Sequence, residues 1–149
     1  VVWGLEAICY AENKREFLEE AARVLSDDGR LVVADGYMTK RDLNSSEEKV
    51  IRKWLDGWKV PHLAHIEDFQ DGMRDLGFEN LRVHCNDEHV KPFARGTFTA
   101  SFPRYLYAKF RQLIGKGTQT EVDHIVGCHY QYRALRKGLW THSIVYGEV

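Results

Sequence analysis

Val1-Val2-Trp3-Gly4-Leu5-Glu6-Ala7-Ile8-Cys9-Tyr10 is the stretch from which the rest of the chain can be read, because an apolar run there opens directly into Gly and Glu. Two β-formers and a Trp running into Gly4 and Glu6 have the look of the carboxyl end of a buried parallel strand. Open α/β sheets hold their ligands in the crevice outside such ends. The functional residues are therefore expected at and just beyond this strand.

Asn13-Lys14-Arg15-Glu16 has the spacing of a capping box and predicts a helix start. Phe17, Leu18, Ala21, Val24 and Leu25 then share one face, Glu19 and Arg23 are spaced for an i,i+4 pair, and Asp27-Asp28-Gly29 is expected to end the helix with Gly29 left-handed. Leu31-Val32-Val33-Ala34 is an unbroken apolar run, the mark of a strand covered on both faces, and Asp35-Gly36-Tyr37 leaves it on the same sheet edge as Glu6. A second capping signal at Asn44/Glu47 or Ser45/Glu48 opens a helix lined by Val50, Ile51, Trp54, Leu55 and Trp58, which Pro61 stops. Ile66, Phe69, Met73 and Leu76 mark a further helix, and Leu81, Val83 and Cys85 alternate along a strand wet on one face. The aromatic-rich segment 90–120 reads as a helical insertion, regular after Ser101. Thr120 is expected to cap a last helix, and Trp140, His142, Ile144 and Tyr146 alternate along a final strand.

With 149 residues, 44% hydrophobic and 29% charged, the chain can bury a proper core as one domain. A formal net charge of −1 gives no broad electrostatic case for nucleic acid or an anionic membrane. Three scattered cysteines, Cys9, Cys85 and Cys128, match neither a disulfide framework nor a zinc site, which points to a reducing, cytoplasmic setting. His62 with His65, and His124 with His129, lack a third partner at ligand spacing, so no metal is expected. No apolar run reaches transmembrane length, and the first residues lack a signal-peptide layout.

The run from Trp3 to Asp35, with its Glu-Ala loop and its Gly29-Arg30-Leu31-Val32-Val33-Ala34-Asp35 strand, resembles the second half of a class I S-adenosylmethionine-dependent methyltransferase. Trp58-Lys59-Val60-Pro61, Asp87-Glu88-His89-Val90-Lys91-Pro92-Phe93 and Tyr132-Arg133-Ala134-Leu135-Arg136-Lys137-Gly138-Leu139-Trp140 narrow this to the γ-tocopherol and sterol C-methyltransferase branch. The resemblance implies an α/β fold: residues 1–149 form one partial domain, the C-terminal half of a Rossmann-like mixed sheet, with the strand order first, second, fourth, third. The last strand is antiparallel, helices lie on both faces, and 90–120 is an insertion. The family's Gly-rich loop and its ribose-binding acid have no counterpart here, so the resemblance implies a fragment whose missing N-terminal half completes the S-adenosyl-L-methionine site.

Transposed residue by residue, the resemblance makes Glu6 the catalytic base beside the methyl donor, and Trp3, Gly4 and Leu5 a wall of the cofactor site. Tyr10, Trp54, Trp58 and His89 become candidates for binding a small lipophilic or aromatic acceptor, since such molecules fit flat apolar walls. The bland alternatives are a carboxylate tied to a neighbour and core tryptophans at helical spacing. A non-catalytic half-domain that binds a lipophilic ligand or partner chain is the second functional reading, and a nucleotide-dependent oxidoreductase without its Gly-rich loop the third. Val1–Trp3 should lie at a bare sheet edge, through which the chain could pair with a second copy.

Overall fold

The computed structural model describes all residues 1–149, and two compact units compose it: Val1–Arg41, Pro61–Asp87 and Trp140–Val149 in the first, Asp42–Val60 and Glu88–Leu139 in the second. The sequence suggested one partial domain with an insertion at 90–120. The helical unit takes in more, from Asp42–Val60 and on to Leu139.

The first unit is a four-stranded sheet in the order β1-β2-β4-β3, formed by β1 (Val2–Leu5), β2 (Arg30–Met38), β3 (Glu79–Cys85) and β4 (Trp140–Glu148). β1 runs parallel to β2, and β4 is antiparallel to both β2 and β3, as the sequence implied. Helix α1 (Lys14–Val24) starts where expected, the Asn13 side chain accepting the Arg15 and Glu16 N–H groups. Its end differs. The helix stops at Val24 with Leu25 extended, and Asp28, not Gly29, takes the positive φ of 62°. Gly29 is required for space instead, since a Cβ there would sit 2.6 Å from the Ser26 carbonyl oxygen. Arg23 pairs with Glu20, leaving Glu19 to Arg15, because the i,i+3 geometry closes at 2.7 Å.

Strand β2 is longer than the apolar run predicted, continuing through Asp35-Gly36-Tyr37 to Met38. Its alternation sets the two faces. Leu31, Val33 and Tyr37 point into a core with Leu18 and Ala21 of α1, Phe69 and Met73 of α3 (Ile66–Asp75), Phe78 and Val145. Each fully buried Leu in that core contributes about 1.5–3 kcal/mol. Both helices of this unit, α1 and α3, lie on this one face. On the opposite face Val32 and Ala34 stay half-exposed beside Ile144 and Tyr146, and Trp3 and Leu5 next to them are 72% and 58% exposed. The run Leu31–Ala34 is thus fully buried on one side and only partly covered on the other. The outer edge of β1 pairs with no strand.

The second unit holds α2 (Ser45–Trp58), α4 (Asp87–Leu113) and α5 (Gln119–Arg136). Asn44 and Glu47 form the full capping box of α2, and Thr118, two residues before the expected Thr120, caps α5. α2 and α5 approach closely at Gly57 and Gly127. The sequence predicted regular helix only after Ser101, but α4 is one 27-residue helix through Pro92 and Pro103. Each Pro loses an N–H and crowds the preceding turn. The seam of small buried residues Ala94, Ser101 and Ala108, seven residues apart on one face, holds the helix against that cost.

Candidate functional site

The carboxyl ends of β1 and β2 gather four polar side chains. Glu6 ends the short β1 in a left-handed conformation, φ 50°, with its N–H donating to Ala34 O at 2.9 Å. This turn throws its carboxylate across the sheet. Oε1 lies 2.5 Å from Nε2 of His142, a residue whose Cα pairs with Gly36 across β2 and β4. The imidazole is buried and its Nδ1 has no partner. An orphaned buried N–H is costlier than an orphaned lone pair, so the arrangement favours the tautomer that donates Nε2–H to Glu6. His142 is held in turn by Asp87, whose Oδ1 accepts the His142 N–H at 2.8 Å and the Thr141 hydroxyl at 3.0 Å.

Asp35 supports the same corner from the core face. It is 2% exposed, and its two oxygens accept the N–H groups of Cys9 (3.0 Å) and Gly36 (2.7 Å). The turn Ile8–Tyr10 is fixed this way, with Lys14 Nζ donating to the carbonyls of Cys9 and Ala11. Burial first, then the Asp35 charge, pushes the Cys9 thiol up to about 12. Tyr10 at the end of the turn is half-exposed, and its phenol is raised by partial burial and by the nearby acidic groups Cys9, Glu6 and Asp35. The corner therefore carries negative charge with an aromatic side chain beside it.

The residues singled out from sequence fall in two groups. Glu6 and Tyr10 come together; Trp3 and Leu5 project from the partly covered sheet face, while Gly4 is buried against Ile8, where a Cβ would lie 3.1 Å from Cδ1. In the helical unit, Trp54 is core and meets Trp58 edge-on at 6.2 Å, and Trp58 stacks on His124 at 5.4 Å. Trp58, with Tyr107, Arg104 and Ile125, lines a cavity of about 630 Å³. His89 is exposed on the first turns of α4. No three His, Cys, Asp or Glu side chains come together as a metal site. Sequence reasoning gave no role to His142 or Asp35. A His alternating with apolar residues along a strand, and an Asp closing an apolar one, were the available signals.

No family model matches the chain. It is 39% identical over 92 residues to the 2-methyl-6-phytyl-1,4-hydroquinone methyltransferase of Synechocystis sp., a match taking in 58% of this chain and 28% of that protein. It is 26% identical over 100 residues to a probable chloroplastic tocopherol O-methyltransferase of Oryza sativa, covering 62% of this chain and 27% of that protein. Phosphoethanolamine N-methyltransferase 2 of Haemonchus contortus, solved with S-adenosylhomocysteine, superposes on 99% of this chain and 32% of its own at a TM-score of 0.70 and 12% identity. This is the fold of the class I S-adenosylmethionine-dependent methyltransferases. A sarcosine dimethylglycine methyltransferase homologue from Galdieria sulphuraria shares the methyltransferase fold over 98% of this chain and 51% of its own, at a TM-score of 0.68 and 16% identity. So does the [4+2]-cyclase SpnF, at 0.62 and 17%, so the fold alone fixes no reaction. The chain spans about a third or less of the length of the curated relatives it matches.

Proposed function

We propose that this chain is part of an S-adenosyl-L-methionine-dependent methyltransferase acting on a small lipophilic or aromatic acceptor, with Glu6 as its proton acceptor and His142 as the group that orients it. The observation that carries the reading is the Glu6–His142 hydrogen bond at the carboxyl end of the strand where sequence reasoning sought the site. The similarity to the phytyl-hydroquinone enzyme supports the acceptor class.

The corner suits one side of the cofactor. Its carboxylates match a sulfonium cation electrostatically, and the backbone of Trp3–Leu5 offers a wall. When bound, S-adenosyl-L-methionine supplies an electrophilic methyl group. With the donor bound, the acceptor would form its bond to the methyl carbon as the carbon–sulfur bond breaks to leave a neutral thioether. The proton that the acceptor sheds would pass to Glu6 while the His142 Nε2–H keeps the carboxylate aligned. Alignment of the acceptor with the methyl group supplies much of the remaining acceleration. Tyr10 packs against the acceptor, and Trp58 and His89 are further acceptor-binding residues in this reading. Trp54, buried as it is, acts by holding Trp58.

The exposed Trp3 and Leu5 and the bare β1 edge support a further element of the proposal. A part of the protein beyond these residues covers them and completes the cofactor site, and without that part the edge is open to a second copy. The test is methyl transfer to a panel of quinols and phenols by the longest protein that carries this chain. Glu6→Gln should lower kcat by roughly 10²–10⁴ with the cofactor's KM little changed. Loss of the cofactor's KM with kcat intact would remove Glu6 as base, and no transfer to any quinol or phenol would remove the acceptor class.

A further inference from the structure

Helix α4 carries a surface that the site above does not use. Phe102, Leu106, Phe110 and Leu113 stand at i, i+4, i+8 and i+11 on one face and are 54–84% exposed. Lys109 lies within the same stripe, and Arg95 extends it seven residues before Phe102. From His89 to Thr120 the chain holds Lys91, Arg95, Arg104, Lys109, Arg111 and Lys116 and not one Asp or Glu, so all 22 acids lie outside this segment. The whole-chain charge of −1 conceals this segregation. Some of the charge is spent locally: Arg111 pairs with Glu121 and Lys91 with Glu88. Lys109 meets the neutral Gln112 carbonyl and the Tyr105 ring but no acid, and Arg95 forms no ion pair.

We infer that α4 docks on an anionic lipid bilayer, lying in the headgroup plane with the Phe102–Leu113 stripe dipped into the acyl boundary and its cations against lipid phosphates. Charge decides among occupants. A second copy of the stripe would set Lys109 and Arg95 against like charges, and a nucleic acid would leave Leu106 and Leu113 exposed on its polar surface. An anionic bilayer satisfies both the apolar row and the unpaired cations. No helix of the chain is long and apolar enough to cross a membrane, which leaves α4 at its surface.

The test is co-sedimentation of the purified protein with phosphatidylcholine vesicles, with and without phosphatidylglycerol, at low and high salt. Binding should require phosphatidylglycerol and weaken with salt. Arg95→Glu with Lys109→Glu should reduce partitioning at least about 25-fold, at roughly fivefold per cation lost. Leu106→Ser with Phe110→Ser should reduce it more than about tenfold at unchanged helicity, both side chains being exposed. Absence of sedimentation with anionic vesicles would overturn the inference, as would wild-type partitioning by either double variant. It would be overturned equally by a lipid-free dimer that Leu106→Ser with Phe110→Ser dissociates, in a protein that ignores vesicles.

Discussion

Replacing Gly57 by Ala should destabilise the helical unit, although Ala is the better helix former. A Cβ at Gly57 would lie 2.4 Å from the Asp123 carbonyl oxygen and 2.9 Å from both the N and Cα of Gly127. These are backbone atoms and cannot rotate away. Restoring ordinary contact needs α2 and α5 to separate locally by roughly 1 Å, which also unseats Trp58 from Gly127; overpacking of this kind costs about 3 kcal/mol at the upper end. The helix propensity of Ala returns at most about 1 kcal/mol. The net is a loss of about 2 kcal/mol, or a fall in Tm of about 4–8 °C for a chain of this size. Gly96→Ala is the matched control: it lies inside α4 with nothing within 4 Å of its Cβ, and should gain about 0.5–1 kcal/mol. Urea and thermal unfolding followed by the fluorescence of Trp54 and Trp58 would read both. A Gly57→Ala protein as stable as the wild type would refute the close-approach argument, and so would the two variants shifting in the same direction.

Asp35→Asn keeps the shape but leaves one carbonyl oxygen where the carboxylate serves two N–H donors; it should cost about 1.5–3 kcal/mol by urea unfolding, and wild-type stability would mean Asp35 does not hold the Cys9 turn. In native protein at pH 8 a thiol-counting reagent should modify exposed Cys85 quickly and Cys9 far more slowly, with Asp35→Asn speeding Cys9; equal rates at both cysteines would contradict the burial argument. Because the Cys9 thiol titrates at about 12 folded against an ordinary 9.0, its contribution to stability is intact below pH 9 and is lost as pH rises toward 12, a slope that Cys9→Ala should flatten. His129 shifts the other way, lowered mainly by burial, so its contribution is present above its ordinary 6.5 and falls as the pH drops below that; His129→Gln should lessen the acid loss seen in thermal scans.

The caps at Asn13 and Asn44 could be read from sequence because each is a short-range hydrogen bond, whereas the strand order and the antiparallel last strand came from the family resemblance, since pairing between distant segments leaves no local signal. The position of Glu6, a carboxylate just beyond a parallel strand end, was legible from the apolar run that precedes it. The tautomer of His142, its reach to Glu6 across β2 and the service of Asp35 to the Cys9 turn were not legible, since residues 136 and 26 positions apart meet only through register and a left-handed turn. The apolar run Leu31–Ala34 announced burial on two faces, yet composition says nothing of which segment supplies the cover, and in this chain one face is only partly covered. Helix α4 was read as regular only after Ser101 because Pro92 weakens the local signal before it. A seam of Ala94, Ser101 and Ala108 becomes a packing surface only once another element lies against it, and the stripe of Phe102, Leu106, Phe110 and Leu113 becomes visible only when that packing shows which face stays bare.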